Sequence, residues 1–306
     1  MILTVTLNPA IDKVAELKKL KKSSLNRIKV VSILPGGKGI NVARGVASFG
    51  GKVTATGFIG GYNGKYIVDY LIREEIEPHF FPIEGESRVC LIILQEKGVI
   101  AEIYEEGPVI DNNSAESYLS FFQEISAKFN FIAISGNIPN SLPDNYLPRL
   151  IEPVQANLFL DITGKPLLDT LPLKNIYFLK LNQKEFCETF AIKNDDLENQ
   201  MVKIASYYNL SNLIITLGEE GVLVYHKKKV YRSYCEKKVL PLNPIGAGDS
   251  LLGTLIYHLS SGESFLEACK KAVAASISNT TLYEGGRINH PVYKDILKYT
   301  FLEKIG

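Results

Sequence analysis

Short, almost unbroken apolar runs alternate along the chain with segments whose apolar residues recur every three or four positions. Residues 2–7 read as a buried strand, and "GINVARGVASFG" as a helix with Ile40, Ala43 and Ala47 on one face. "KVTATGFIG" predicts the next strand, and "KYIVDYLIREE" the next helix, with Ile67, Val68, Leu71 and Ile72 turned inward. Further strands are expected at "NFIAIS", "NLFLDI", "NIYFLKL" and "NLIITL", with helices near 115–128, 143–155 and 196–208. Two helices, about 248–260 and 263–278, are expected to close the chain. Strands that are apolar throughout and alternate with helices indicate an α/β fold, its central mostly parallel sheet covered by helices on both faces.

Two segments break the alternation. Residues 12–33 are polar and lysine-rich, and "ESRVCLIILQEKGVIAEIY" (86–104) reads as a β-hairpin turning at Lys97-Gly98. With no helix between strands, these fit a small strand-built flap standing off the main sheet. The lysine run 18–22 reads as a solvated face.

Composition narrows the function classes. The chain has 306 residues, 46% hydrophobic and 22% charged, enough for a substantial core without disulfide or metal staples. Its 34 basic and 33 acidic residues leave a formal charge of +1, so no global field favours nucleic acid or an anionic membrane. An anionic ligand must therefore be met by local positive groups. Cys90, Cys187, Cys235 and Cys269 are scattered without a C-x-x-C pair, and the four histidines lack zinc-site spacing. With neither a basic leader nor an apolar stretch of spanning length, a soluble cytoplasmic protein is expected.

Four clusters carry candidate chemistry. In "NPIGAGDSLLG", Gly246, Ala247 and Gly248 lead into an amphipathic helix starting near Asp249. Glycines let backbone N–H groups converge, and a helix N-terminus adds unpaired donors and a positive dipole end. Each well-placed donor to a developing anion is worth roughly 10²–10³ in rate. Taken alone, Asp249 could equally be a helix N-cap. "PGGKGINVARG" brackets Lys38 with Gly36, Gly37 and Gly39 and places Asn41 in a first helical turn. It is not a Walker A loop, since G-x-x-x-x-G-K-[ST] is absent. In "KLNQKEF", Asn182 and Glu185 stand three apart after a strand, as hard oxygen ligands for Mg²⁺ through water or as a helix capping pair. "ITLGEEGVLVY" places Thr216, Gly218 and Gly221 between two strands, as hairpin glycines or as a seat for a nucleotide.

In this order, "GGKGINVA", "LNQKE" and "GAGD" resemble motifs of the ribokinase-like (PfkB) carbohydrate kinases, over essentially the whole chain. "TLNPAID", "LNR", "ESRVCLIIL" and "SGNIP" are similar to the branch acting on ketohexose phosphates, the tagatose-6-phosphate kinases and 1-phosphofructokinases. The resemblance implies one ribokinase-like kinase domain over 1–306, with a β-sheet lid from about 12–33 and 86–104. It implies ATP and Mg²⁺ as cofactors and a sugar phosphate as substrate; the exposed edge of the β flap separately offers a surface that a second subunit could cover in a homodimer. It implies Asp249 as catalytic base, with Gly246, Ala247 and Gly248 as the anion hole. It implies a nucleotide site of Lys180, Asn182, Thr216, Leu217, Gly218, Glu219, Glu220, Gly221, Gly248 and Asn279. Asn182 and Glu185 would serve Mg²⁺ through water. Asp12, Gly37, Asn41 and Asn137 would meet the sugar, and Arg27, Lys38 and Arg88 its phosphate.

Some residues depart from the family pattern. Asn243-Pro244 stands where an Asp-Thr or Asn-Thr pair is usual, a form found in tagatose-6-phosphate kinases, toward which "AEIYEEGP" also leans. Leu181 replaces a common proline, and Asn137 a common serine. A kinase for an unphosphorylated sugar or a nucleoside would not need the Arg27, Lys38 and Arg88 set. A catalytically silent sugar-phosphate sensor would be expected to lose Asp249 or a GAGD glycine, and neither is lost. A dinucleotide oxidoreductase would want G-x-G-x-x-G after the first strand, where "NPAID" stands.

Overall fold

A computed structural model describes residues 1–305 apart from 96, 97, 174, 175 and 194. Among the described residues, ten strands form one sheet. From one edge it runs Thr300–Lys304, Lys229–Cys235, Val222–His226, Asn212–Thr216, Phe178–Asn182, Asn157–Asp161, Phe131–Ser135, Ile2–Val5, Val53–Thr56 and Glu77–Pro78. The last seven of these pair in parallel, and the first three join antiparallel. Helices cover both faces, as the uninterrupted apolar strands required. On one face Leu3, Val5, Ile134, Leu160 and Leu179 pack beneath helix Asn112–Ser126, which inserts Tyr118 and Phe122. On the other, Ala133, Phe159, Phe178 and Ile214 meet helices Lys38–Ala47, Ala247–Ser260 and Phe265–Asn279.

Several local expectations needed correction. The run at 52–60 is two strands: Val53–Thr56 stays in the main sheet, while Phe58–Ile59 pairs with Phe81–Pro82. Helix Gly61–Arg73 turns Ile67 and Leu71 fully inward, but Val68 is half-buried and Ile72 is exposed. Gly64, Ile67 and Leu71 already fill the inward stripe, and Ile72 lies one residue round from it. The helix near 143–155 is only Tyr146–Ile151. The chain does not close on two helices: helix His290–Ile296 follows, and Thr300–Lys304 extends the sheet along Lys229–Cys235.

A second, four-stranded sheet stands over the carboxyl ends of the parallel strands. It orders Lys29–Gly36, Ala10–Glu16, Arg88–Gln95 and Gly98–Tyr104, drawing on both segments that broke the alternation. The turn placed at Lys97-Gly98 reaches outside the described residues, but the strands flanking it pair antiparallel. Lysines 18–22 lie in the exposed connection between Ala10–Glu16 and Lys29–Gly36. Val14, Ile92 and Leu94 of this sheet pack against Ile245 and Tyr283 of the main body. Tyr283 Oη also donates to Glu16 Oε1 at 2.5 Å.

One helix contact sets up the site. Helices Lys38–Ala47 and Ala247–Ser260 meet with Gly45 against Gly253, where a Cβ on Gly253 would lie 2.3 Å from the Val42 carbonyl oxygen. Only two glycines allow the backbones so close, and this brings the starts of both helices together.

Candidate active site

A cleft of about 430 Å³ opens between the small sheet and the main body. Its floor is the carboxyl ends of adjacent parallel strands, marked by Ser135, Lys180, Asn182 and Thr216, the usual ligand position in open α/β sheets.

Asp249 and the loop before it come first. Gly246 is the N-cap of helix Ala247–Ser260 in the left-handed region, φ +86°, and a Cβ there would lie 2.5 Å from Gly285 Cα. No side chain caps this helix, so Asp249 is not the N-cap that it could have been from sequence alone. The first-turn N–H groups at Gly248 and Asp249 have no preceding turn to bond, leaving donors and a positive dipole end at the cleft wall. Asp249 is buried and accepts a 2.9 Å hydrogen bond from Asn41 Nδ2 on Oδ2. Oδ1 has no hydrogen-bond partner among the described residues. Burial pushes the carboxyl above its usual range; Lys180 opposes this, Asp161 reinforces it, and Lys38 and the Asn41 bond oppose it.

Next to Asp249 lies a charge cluster that the sequence reading missed in part. Asp161, at the end of its strand and fully buried, accepts from Lys180 Nζ at 2.7 Å and Lys38 Nζ at 3.2 Å. Lys38 also reaches Glu185 Oε1 at 3.2 Å. Burial pushes Asp161 up, but Lys180 and Lys38 outweigh it and hold the carboxylate below its usual range. Lys38 is raised: burial opposes its charge, and the carboxylates of Asp161, Glu185 and Asp249 more than compensate. The only sequence signal for Asp161 was a charged residue closing the apolar run "NLFLDI", where a buried charge needs partners.

Asn182 and Glu185 form a reciprocal capping box, with Glu185 N to Asn182 Oδ1 and Asn182 N to Glu185 Oε2 both 2.8 Å. Both still line the cleft, and Glu185 keeps partial exposure. Among the described residues no three His, Cys, Asp or Glu side chains cluster as a ready metal site. The oxygens of Asn182 and Glu185 are already bonded to each other's N–H and to Lys38, a donor set that fits Mg²⁺ through water rather than by direct ligation.

The small sheet contributes Asp12, Arg88, Glu102 and Tyr104 to the opposite wall, and Gly37 and Asn137 line the cleft below. Burial lifts Asp12 to about 6 against the pull of Arg44 and Arg88. Arg88 is held loosely, 3.2–3.3 Å from the carbonyls of Asn8 and Glu105 and 5.9 Å from the centre of the Tyr104 ring. Glu102 accepts from the Tyr104 hydroxyl beside it.

Other candidate residues lie apart. Arg27 is exposed in the connection ahead of Lys29–Gly36 and is not on the cleft wall. Thr216 lines the cleft, and Gly218, Glu219 and Glu220 form a short 3₁₀ turn after it, with Leu217 and Gly221 as its ends. Asn279 is fully buried and donates at 2.8 Å to the carbonyls of Glu284 and Arg287, bracing the loop that backs Gly246. Ala247 opens its helix between two cleft-lining glycines. Arg44, which sequence reading did not single out, is buried and bonded to Asn41.

The pfkB family carbohydrate kinase model matches residues 5–289. The chain belongs to that family. Its fold is ribokinase-like, and as a member it is an ATP-dependent sugar kinase. The Thermotoga maritima structure described as a possible 1-phosphofructokinase superimposes with TM-score 0.89 at 24% identity, covering 100% of both chains. Escherichia coli phosphofructokinase-2 with substrates and products gives 0.87 at 25%, covering 97% of this chain and 98% of that one. Arabidopsis thaliana ribokinase with ribose and ATP gives 0.77 at 18%, over 97% and 98%. The E. coli protein is also known with potassium and as a tetrameric inhibited form. In this pfkB kinase, no helix among the described residues is long and apolar enough to cross a membrane.

Proposed function

We propose that this pfkB kinase transfers the γ-phosphate of ATP to the free primary hydroxyl of a ketohexose monophosphate, and that the sugar is tagatose 6-phosphate. One observation carries the reading: Asp249 is buried at an uncapped helix start, with one oxygen fixed by Asn41 and the other without a protein partner. That is the placement a general base needs toward an acceptor hydroxyl.

The roles follow from position. The hydroxyl meets Asp249 Oδ1 and gives up its proton as the phosphoryl group arrives. In the Gly246–Ala247–Gly248 loop and the helix start after it, the N–H groups at Gly248 and Asp249 would take the charge developing on that group, since Ala247 N already donates to the Pro244 carbonyl, and catalysis is mainly positioning and charge stabilisation. Lys180 and Lys38, anchored by Asp161, keep positive charge next to the transfer point. Asn182 and Glu185 would hold Mg²⁺ through water, and the ion would neutralise phosphate charge. Thr216 and the turn through Gly221 would seat the nucleotide. Asp12 and Asn137 would meet sugar hydroxyls, and Arg88 on the small sheet would meet the sugar's own phosphate, without Arg27, which lies off the cleft wall.

We read the chain as one kinase domain whose four-stranded sheet is the lid, acting in the cytoplasm. Val30, Ile33 and Ile103 of that sheet are 45%, 43% and 58% exposed, an apolar surface that a second copy would cover. A shift to monomer in light scattering on Ile33→Lys/Ile103→Lys is the outcome expected of a lid dimer; an unchanged mass would refute it.

Asn243 supports the choice of tagatose 6-phosphate only through its Asn-Pro context. In the structure its side chain braces the loop, donating to the Tyr283 carbonyl at 2.8 Å and accepting from Ile245 N at 3.1 Å. Fructose 1-phosphate offers the same chemistry, a phosphate at one end and a primary hydroxyl at the other. A coupled ADP-release assay over a panel of ketohexose phosphates decides the substrate. Turnover is expected with tagatose 6-phosphate first and fructose 1-phosphate second, and turnover with none of the panel would remove the assignment.

A further inference from the structure

Asn41 touches the proposed base, and something must fix which end of its amide it presents. An asparagine amide is a donor at one end and an acceptor at the other, and the two ends are nearly the same shape. A guanidinium only donates. Arg44 lies one turn along helix Lys38–Ala47, on the same face as Asn41, and its Nη1 donates to Asn41 Oδ1 at 3.0 Å. The opposite end of the amide, Nδ2, then has to point at Asp249 Oδ2, 2.9 Å away. If the amide turned over, two donors would face each other at Arg44. Two acceptors would face each other at Asp249, unless Asp249 took up a proton.

We propose that Arg44 is a positioning residue for phosphoryl transfer: it locks the Asn41 amide as a donor, and so keeps Asp249 in the proton-accepting form. The catalytic consequence rests on the reading of Asp249 as the base.

The guanidinium is itself held from several sides. Its Nε donates to both Glu74 oxygens at 3.0 Å, its Nη1 to the Gly285 carbonyl at 2.8 Å, and its Nη2 to the Pro35 carbonyl at 2.9 Å. Glu74 is pinned in turn by Arg287 at 2.6 Å. Arg44 is 2% exposed, so water does not replace these contacts when one is lost. The contacts also tie together three parts of the site. Pro35 leads into the turn before Lys38, and Gly285 is the residue on which the N-cap Gly246 packs. One buried side chain thereby sets the anion-hole loop, the lid strand's exit and the amide beside the base.

Other charges near these groups bear on the test. Asp249 feels Lys180, Asp161 and Lys38, while Asp12 feels both Arg44 and Asp249. A change at Arg44 therefore acts on Asp12 directly, and on Asp249 through Asn41. A double-mutant cycle separates the two routes.

The first measurement needs no sugar: ¹³C carboxyl titration of aspartate-labelled protein, with Asp249 assigned by its loss in Asp249→Asn. In Arg44→Lys, which keeps one positive charge but lacks the fork, the Asp249 midpoint is expected to rise by roughly one pH unit. The second is kinetic, on whichever sugar phosphate the wild type turns over. Arg44→Lys is expected to lower kcat at pH 6 roughly tenfold, with KM for ATP within about twofold. In an Asn41→Leu background the same change is expected to have little further effect on kcat. An unmoved Asp249 midpoint, or fully multiplicative effects of the two substitutions, overturns the proposal. If no ketohexose phosphate is turned over, the substrate reading fails while the titration still decides the role of Arg44. Should Arg44→Lys not fold, Glu74→Gln loosens the guanidinium from outside and is judged the same way: an upward shift of the Asp249 midpoint supports the lock, and no shift overturns it.

Discussion

The two ends of the cleft are built differently. At the transfer end Asp249, Asn41, Lys180 and Asp161 are all buried and bonded in two pairs, Asn41 to Asp249 at 2.9 Å and Lys180 to Asp161 at 2.7 Å, with Lys38 on Asp161 at 3.2 Å. At the lid end Arg88 bonds two carbonyls at 3.2–3.3 Å and lies over the Tyr104 ring without a carboxylate ion pair among the described residues, and Arg27 is exposed away from the wall. The first end is held by the protein's own buried contacts, which on the proposed reading leave little reorganisation for the reaction. The second is carried on a separate sheet, joined to the body by Ile11 in the main core, by Val14, Ile92 and Leu94 against Ile245 and Tyr283, and by hydrogen bonds from Tyr66, Arg44 and Tyr283. On the proposed reading the body carries the phosphoryl transfer and the small sheet the choice of sugar.

The sharpest way to break this comparison is at its rigid end. Asp249→Asn is expected to lower kcat by about 10³-fold or more with the sugar-phosphate KM within about threefold. Steady-state kinetics retaining most of the activity would make Asp249 a structural residue. Next is the buried pair. Asp161→Asn strips Lys180 of its carboxylate, and losing one partner of a buried ion pair destabilises by ~3–5 kcal/mol. A matching fall in urea-unfolding free energy is expected, and an unchanged midpoint would mean the pair is solvated. At the lid end, Arg88→Ala is expected to raise the sugar-phosphate KM roughly 10–100-fold while kcat falls only a few-fold. A loss confined to kcat would move Arg88 to the transfer end.

The smallest effect is a pH dependence at Asp12. Its carboxyl sits at about 6 rather than 3.8, so the folded state favours the protonated form. That contribution is complete below about pH 4 and is lost as pH rises through 6, and the difference corresponds to at most ~3 kcal/mol. Asp12→Asn is therefore expected to melt above wild type at pH 8 and to coincide with it near pH 4. Thermal scans at both pH values test the sign, and a gap at pH 4 alone would reverse it.

Much of this organisation was legible beforehand. The parallel sheet followed from strands that were apolar on every residue, because only strands covered on both faces can be so. The flap followed from a hairpin pattern at 86–104 and a polar, lysine-rich stretch at 12–33, with no helix between strands. The GAGD loop and "GGKGINVA" stood out only in company, because each taken alone could be a glycine turn or a helix cap. Less was legible where partners are remote in sequence. Asp161 and Lys180 are 19 residues apart, and Asn41 and Asp249 are 208 apart. Arg44 looked like an ordinary residue of an amphipathic helix.

What the sequence determined alone was the set of local tendencies: alternating elements, glycine-framed helix starts, and the residue types needed to handle a phosphate. What only the tertiary structure decided was which of two local meanings each residue took. Asp249 was either a cap or a cleft-wall carboxylate, and the Gly45–Gly253 contact and the Asn41 bond gave it the second place. Asn182 and Glu185 bond each other as a cap and also line the cleft. The reason is physical. Capping and turn preferences act over a few residues, whereas burial of a charge, and hence its partners and its proton, depends on chain segments that meet only once the sheet and its helices have packed.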